Sequence, residues 1–214
     1  MERYEVSMKP IIFIGPSISR EKAESIFPHA EYRAPAKKGD ILRIATRMES
    51  NIIGLIDGVF LQDYPPTPIE IYTALMKGIK IIGAASIGAV RAVELEKFGM
   101  IGIGSIYRLY KMGKLDDDDE IAVTFTSDYK LQSEAMIDIR YTLYHAYKNK
   151  ILTYDKMKYL LKIAKNIYFP YRTYEEIFNK ANIDERVIEY VKKNRRSLKE
   201  KDSIALLNYL KHYI

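Results

Sequence analysis

Residues 80–91 read Lys80-Ile81-Ile82-Gly83-Ala84-Ala85-Ser86-Ile87-Gly88-Ala89-Val90-Arg91, an apolar β-branched run that passes one hydroxyl and becomes a small-residue helix start. Ala84-Ala85-Ser86-Ile87-Gly88 has the form of a nucleophile elbow, with alanine in place of the first glycine. On such a strand-to-helix turn a serine oxygen is exposed and the next backbone N–H can face an oxyanion. Small neighbours suit that turn, because a larger side chain would collide with it or block an incoming carbonyl. A serine at this place is equally an ordinary helix cap. Spacing alone leaves both roles open.

The same alternation of strand and helix extends outward. Lys9–Phe13 predicts a strand that ends in the turn Gly15-Pro16-Ser17, after which Ser19 caps a helix. The turn Ala34-Pro35-Ala36-Lys37-Lys38-Gly39-Asp40 precedes a helix from Ile41 to Met48. The continuous apolar run Ile52–Phe60 suits a strand buried on both faces, with Asp57 where it ends. A proline-rich loop and a helix over Ile69–Lys77, stopped by Gly78, lead to the Ile79–Ala85 strand and a helix from Ile87 to Phe98. This order predicts an α/β fold: a parallel-sheet core with crossover helices and a C-terminal helical extension. The expected division is residues 1–145 for the core and 146–214 for the extension. Ligands of parallel sheets gather beyond the carboxyl ends of the strands, where Gly15-Pro16-Ser17, Asp57 and Ser86 all fall.

Composition narrows the classes. The 214 residues, 48% hydrophobic and 29% charged, fit a soluble globular chain, and no run is long enough to span a bilayer. The N-terminus lacks a signal-peptide layout, so a cytoplasmic location is expected. With no cysteine, disulfides, thiolate metal sites and a persulfide on this chain are excluded, and three scattered histidines argue against a histidine-rich metal site. No metal is expected. The net charge of +6 is uneven: residues 146–214 carry 16 lysines and arginines against 8 acids. Those lysines alternate with apolar positions at helical spacing and lack an arginine- or glycine-rich motif. That favours solvated helix faces over nucleic-acid binding.

Gly99–Gly104 spaces its glycines unlike a dinucleotide fingerprint and follows a helix, so a nicotinamide reading is rejected. The acidic run Asp116-Asp117-Asp118-Asp119-Glu120 lacks the glycine and spaced oxygens of a calcium loop. It reads as a solvated turn or, through Asp117, Asp118, Asp119 and Glu120, a docking surface for a basic partner. Ile121–Thr126 is expected to be another strand. From Ser133 onward apolar residues recur at helical spacing.

Six ordered blocks over roughly residues 10–145 resemble the TfuA family. They are Phe13–Ser19, Ala34–Asp40, Ile56–Phe60, Gly83–Leu95, Phe98–Gly102 and Asp118–Val123. The resemblance implies a partner of YcaO, the enzyme that uses ATP to activate a peptide amide oxygen for replacement by sulfur. It implies that this chain, with no cofactor of its own, hydrolyses a thiocarboxylated ThiS-like sulfur carrier to release sulfide, and aids peptide binding by YcaO. The family's hydrolytic apparatus is a Ser–Lys pair. Composition, rich in Lys, Ile and Tyr without Cys, fits the archaeal branch, whose target is a glycine of methyl-coenzyme M reductase. One departure is that a His-Lys-Glu common in the family reads Pro68-Ile69-Glu70 here. The lysine of the pair is then Lys37 or Lys38.

Within that reading Ser86 is the favoured nucleophile, and Ser17 is a rival nucleophile or an oxyanion and positioning group. Gly15, Asp57 and Arg91 are candidate substrate-binding residues. Asp57 either orients a lysine ammonium or ends its strand, and Arg91 either grips the thiocarboxylate or pairs with Glu94. His29 is an alternative base. A lysine base must be neutral at proton transfer, which requires lowering its pKa from about 10.4 toward 7, a cost of roughly 4–5 kcal/mol. The competing reading is a non-catalytic adaptor that docks YcaO and the carrier.

Overall fold

Five short strands form one parallel sheet in the order β2-β1-β3-β4-β5 in the computed structural model, which describes residues 8–59 and 63–213. They are β1 (Ile11–Phe13), β2 (Glu31–Arg33), β3 (Ile52–Leu55), β4 (Lys80–Ala84) and β5 (Ile101–Ile103). Phe13 lies opposite Leu55 and Gly54 opposite Ile82. Successive residues of a strand face opposite layers. Ile11 and Phe13 enter a core with α2 (Asp40–Arg47), α3 (Pro68–Met76) and α4 (Ile87–Leu95), while Ile12 and Ile14 enter another with Ala23 and Phe27. Those last two lie on and just beyond α1 (Arg20–Ile26). As expected, Ser19 caps α1 by accepting the Lys22 N–H.

The apolar runs behave as their pattern predicts: β1, β3 and β4 are the three central strands, and their isoleucines are almost all fully buried. Two strands were not read from sequence. β2, with one buried residue between two charged ones, pairs as an edge. β5 is the other edge, and α5 (Gly104–Lys111) follows it. The run expected to reach Phe60 leaves the sheet at Leu55, and Phe60 itself lies outside the described residues. Ile121–Thr126 is not a strand: only an isolated bridge pairs Phe125 with Leu131. Its β-branched residues have no neighbouring strand to join among the described residues of their unit.

The chain divides into two compact units, one of the residues to Lys114 with those from Glu200 on, the other Leu115–Lys199. The expected boundary at 145/146 falls inside α6 (Met136–Lys148) of the second unit. That unit also holds α7 (Tyr154–Asn166), α8 (Tyr174–Ala181) and α9 (Glu185–Lys193), packed around Ile139, Leu143, Leu160, Ala164, Ile177 and Val191. The end of the chain returns to the first unit. Leu206, Leu207 and Leu210 of α10 (Leu198–Leu210) are fully buried in the same core as Ile12 and Phe27. Among the described residues no helix is long and apolar enough to cross a membrane.

Candidate functional site

The strand order reverses between β1 and β3, and the carboxyl side of such a reversal is where open parallel sheets bind ligands. Asp57 closes that point. Its Oδ2 accepts the Gly15 N–H at 2.9 Å and the Ser17 N–H at 3.1 Å, and its Oδ1 accepts the Ser17 hydroxyl at 2.6 Å. Asp57 and Ser17 are both buried. Asp57 therefore orients the loop after β1, not a lysine ammonium, and through two N–H bonds it shapes the Gly15-Pro16-Ser17 turn.

Ser86 stands at the neighbouring strand end. Its N–H donates to the Ala84 carbonyl at 2.8 Å, closing a three-residue turn with Ala85 at its centre at φ 66°. Alanine tolerates that region at a cost of about 1–2 kcal/mol, and strain of this kind collects where a side chain must be aimed. Ser86 occupies the N-cap position of α4, yet its hydroxyl makes no capping bond. It has no hydrogen-bond partner among the described residues. The residue is only 9% exposed. The Ile87 N–H, next in the chain, likewise has no acceptor among the described residues.

Two glycines seat this turn. A Cβ on Gly88 would lie 1.8 Å from the Leu55 carbonyl oxygen, and one on Gly83 2.0 Å from the Gly88 carbonyl oxygen. Helix α4 thus starts directly against β3 and β4. The lysine loop adjoins it. Ala36 donates to the Asp57 carbonyl at 2.9 Å and accepts from Val59 at 3.1 Å, and a Cβ on Gly58 would meet Ile87 at 2.8 Å. Chain segments bearing Ser17, Lys37–Lys38, Asp57 and Ser86 therefore converge on one end of the sheet.

The lysine side chains do not complete the convergence. Both are exposed; Lys37 pairs with Asp63 at 3.2 Å, and Lys38 lies over the Tyr64 ring at 5.7 Å. Neither is hydrogen-bonded to Ser86 or Ser17 among the described residues. The Tyr64 N–H and the Lys37 ammonium hold the Asp63 carboxyl below its ordinary range. Arg91 is engaged as the salt-bridge reading expected: Nη1 meets both Glu94 oxygens, and Nε donates to the Pro66 carbonyl at 2.8 Å. It anchors the proline-rich loop. His29 is exposed on the segment after α1.

Glu70 is the residue that sequence reasoning passed over. Buried, it accepts the Gly39 N–H at 2.7 Å and the Thr67 N–H, so one carboxylate ties the lysine loop to the loop before α3. Its signal was present as the capping box Thr67-x-x-Glu70.

The acidic run has a different use from the expected docking surface. Glu120 is bound by Arg140 at 2.8 and 2.9 Å. Lys165 reaches Asp117, Asp119 and Glu120 within 3.1 Å, and the buried Arg172 grips both Asp119 oxygens. Burial alone would raise the Glu120 carboxyl, but Arg140 and Lys165 bring it below its ordinary value. Asp117 is lowered by the Asp119 N–H and by Lys165. These carboxylates neutralise cations of their own unit, and Asp118 stays exposed. No cluster of three His, Cys, Asp or Glu suited to a metal ion occurs among the described residues.

A family model described as TfuA-like protein matches residues 57–173, just over half of the chain. No significant match to a curated protein is found. The matched span begins at Asp57 and includes Ser86, Arg91 and the acidic run.

Proposed function

Because the chain belongs to the TfuA-like family, which implies a part in thioamidation beside a YcaO enzyme, we propose that it is the sulfide-releasing hydrolase of that pair. Its substrate is the thiocarboxylated terminus of a ThiS-like sulfur carrier, and it also aids peptide binding by YcaO. Following the archaeal-type composition, the assigned target is a glycine of methyl-coenzyme M reductase. One observation carries the catalytic reading: among the described residues neither the Ser86 hydroxyl, on a residue nine-tenths buried at a strained turn, nor the next N–H has a hydrogen-bond partner.

In the proposed reaction Ser86 Oγ attacks the carbonyl carbon of the thiocarboxylate, and its proton passes to a lysine amine. The tetrahedral oxyanion takes the Ile87 N–H. The C–S bond then breaks, the lysine returns the proton to sulfur, and hydrosulfide leaves an acyl ester on Ser86. Water cleaves that ester, giving the carrier carboxylate and free serine. Lys38 is the base we favour, since no carboxylate among the described residues holds its ammonium. To act it must swing off Tyr64, which forfeits about 0.5–1 kcal/mol at an exposed site. Ser17, fixed by Asp57, lines the site.

The adaptor reading is supported by one specific observation, that neither lysine amine is bonded to either serine. The experiment that separates them is sulfide release from the thiocarboxylated carrier. Ser86→Ala removes a hydroxyl with no hydrogen bond among the described residues, so its circular dichroism should match wild type while the rate falls by at least about 100-fold. A folded variant that releases sulfide at the wild-type rate removes Ser86 from this role, and a wild-type chain that releases none is an adaptor.

A further inference from the structure

In the second unit Arg140, Lys165, Arg172, Lys180 and Arg195 are all ion-paired. Lysines at the end of α6 and on one face of α7 are arranged differently. Lys148, Lys158 and Lys162 are exposed and have no ion pair among the described residues. Between residues 148 and 162 there is a single acid, Asp155, against five lysines. Lysines left unpaired at this density repel one another unless a partner supplies negative charge.

Aromatic surface accompanies them. Tyr144 and Tyr154 are each about half exposed and linked through Tyr147, with ring centroids 6.5 and 5.9 Å apart. Lys148 lies over Tyr144 and Lys158 over Tyr154, each four residues further along its helix. Tyr154, Lys158, Lys162 and Asn166 follow at four-residue steps, so the stripe runs the length of α7, about 20 Å. At its end Asn166 lines an open groove of about 530 Å³, walled also by Ile163, Ile167, Tyr168 and Tyr171, with the Glu176–Lys180 ion pair at its edge. Both of those tyrosines are more than 60% exposed. A tyrosine-walled groove beside a cationic stripe has the composition of a protein interface, with an aromatic anchor site and a charged rim.

We propose that this face docks an acidic surface of the folded partner protein, one that sets carboxylates against Lys148, Lys158 and Lys162 and an apolar side chain into the Tyr168–Tyr171 groove. Single-stranded nucleic acid fits less well. Its bases stack on open aromatic faces, and here the ring faces of Tyr144 and Tyr154 carry their own lysines. The proposal rests on the family's YcaO partnership and not on the Ser86 chemistry, so the two fail independently.

The test uses the full chain and the purified YcaO partner, with affinity measured by calorimetry at 50 and 300 mM salt. Lys148→Gln/Lys158→Gln/Lys162→Gln should weaken binding at least tenfold at low salt and flatten the salt dependence. Tyr168→Ala/Tyr171→Ala should weaken it tenfold at both salt concentrations. The circular dichroism and melting temperature of either variant should equal wild type, which separates docking from folding. Wild-type affinity in both folded variants, or no binding of the partner by wild type, overturns the proposal. So does a loss confined to a 20-nucleotide single-stranded RNA probe, which would make this a nucleic-acid face.

Discussion

Asp57 offers a graded test of how the site is built. Its carboxylate takes three donors, two backbone N–H groups and the Ser17 hydroxyl, in a setting where Asp57 is 1% and Ser17 4% exposed. Asp57→Ala strands all three. At about 1–3 kcal/mol for each buried donor left unmade, the expected loss is about 3–9 kcal/mol, a large part of a typical folding free energy. Asp57→Asn is different. Its amide oxygen can keep both N–H bonds, and its NH₂ can donate to Ser17 Oγ once that hydroxyl turns. Only the charge-assisted part of each bond is lost, about 1 kcal/mol apiece, and relief of a buried charge offsets some of it. The expected loss for Asn is about 1–3 kcal/mol. Urea denaturation followed by circular dichroism at pH 7 reads both, with the midpoint moving and the slope constant. The order wild type, Asn, Ala is required. An Ala variant within about 1 kcal/mol of wild type would refute the claim that this carboxylate holds the loop after β1.

Gly88→Ala drives a Cβ into the Leu55 carbonyl group, 1.8 Å from its oxygen. Backbone cannot yield as a side chain can, so a loss of at least about 3 kcal/mol is expected, read as a fall in melting temperature; a variant as stable as wild type would show that α4 is not seated there. Glu120→Gln tests the acid network. Because the folded Glu120 carboxyl lies below its ordinary value, its stabilisation is full above the unfolded pKa of about 4.3 and fades as pH falls through the folded one. Wild type should therefore exceed the variant near pH 7 and converge with it as the pH falls below the ordinary carboxylate range, and a gap independent of pH would count against the pairing.

Sequence was most informative where the signal is local. Ile11–Phe13, Ile52–Leu55 and Lys80–Ala84 declare themselves because strands buried on both faces need unbroken apolar residues. Their order placed Ser17, Asp57 and Ser86 at the same end of the sheet. Glu31–Arg33 and Ile101–Ile103 could not be read this way. Each is a strand because a neighbour offers a free edge, a property of the neighbour and not of its own residues. Ile121–Thr126 shows the converse, since β-branched residues without an edge to join do not make a strand.

Side-chain pairing was decided wholly by the tertiary structure. The acidic run has one composition whether it faces solvent or Lys165, Arg140 and Arg172, and only folding brings those cations to it from 20 to 53 residues away. Likewise two adjacent lysines in a turn carry no mark of their direction, which Asp63 and Tyr64 determine. Periodicity along the chain encodes which faces are buried, because burial depends on each residue's own hydrophobicity. The partner of a charge or a hydroxyl depends on what stands within about 3 Å, and that is a property of the assembled fold.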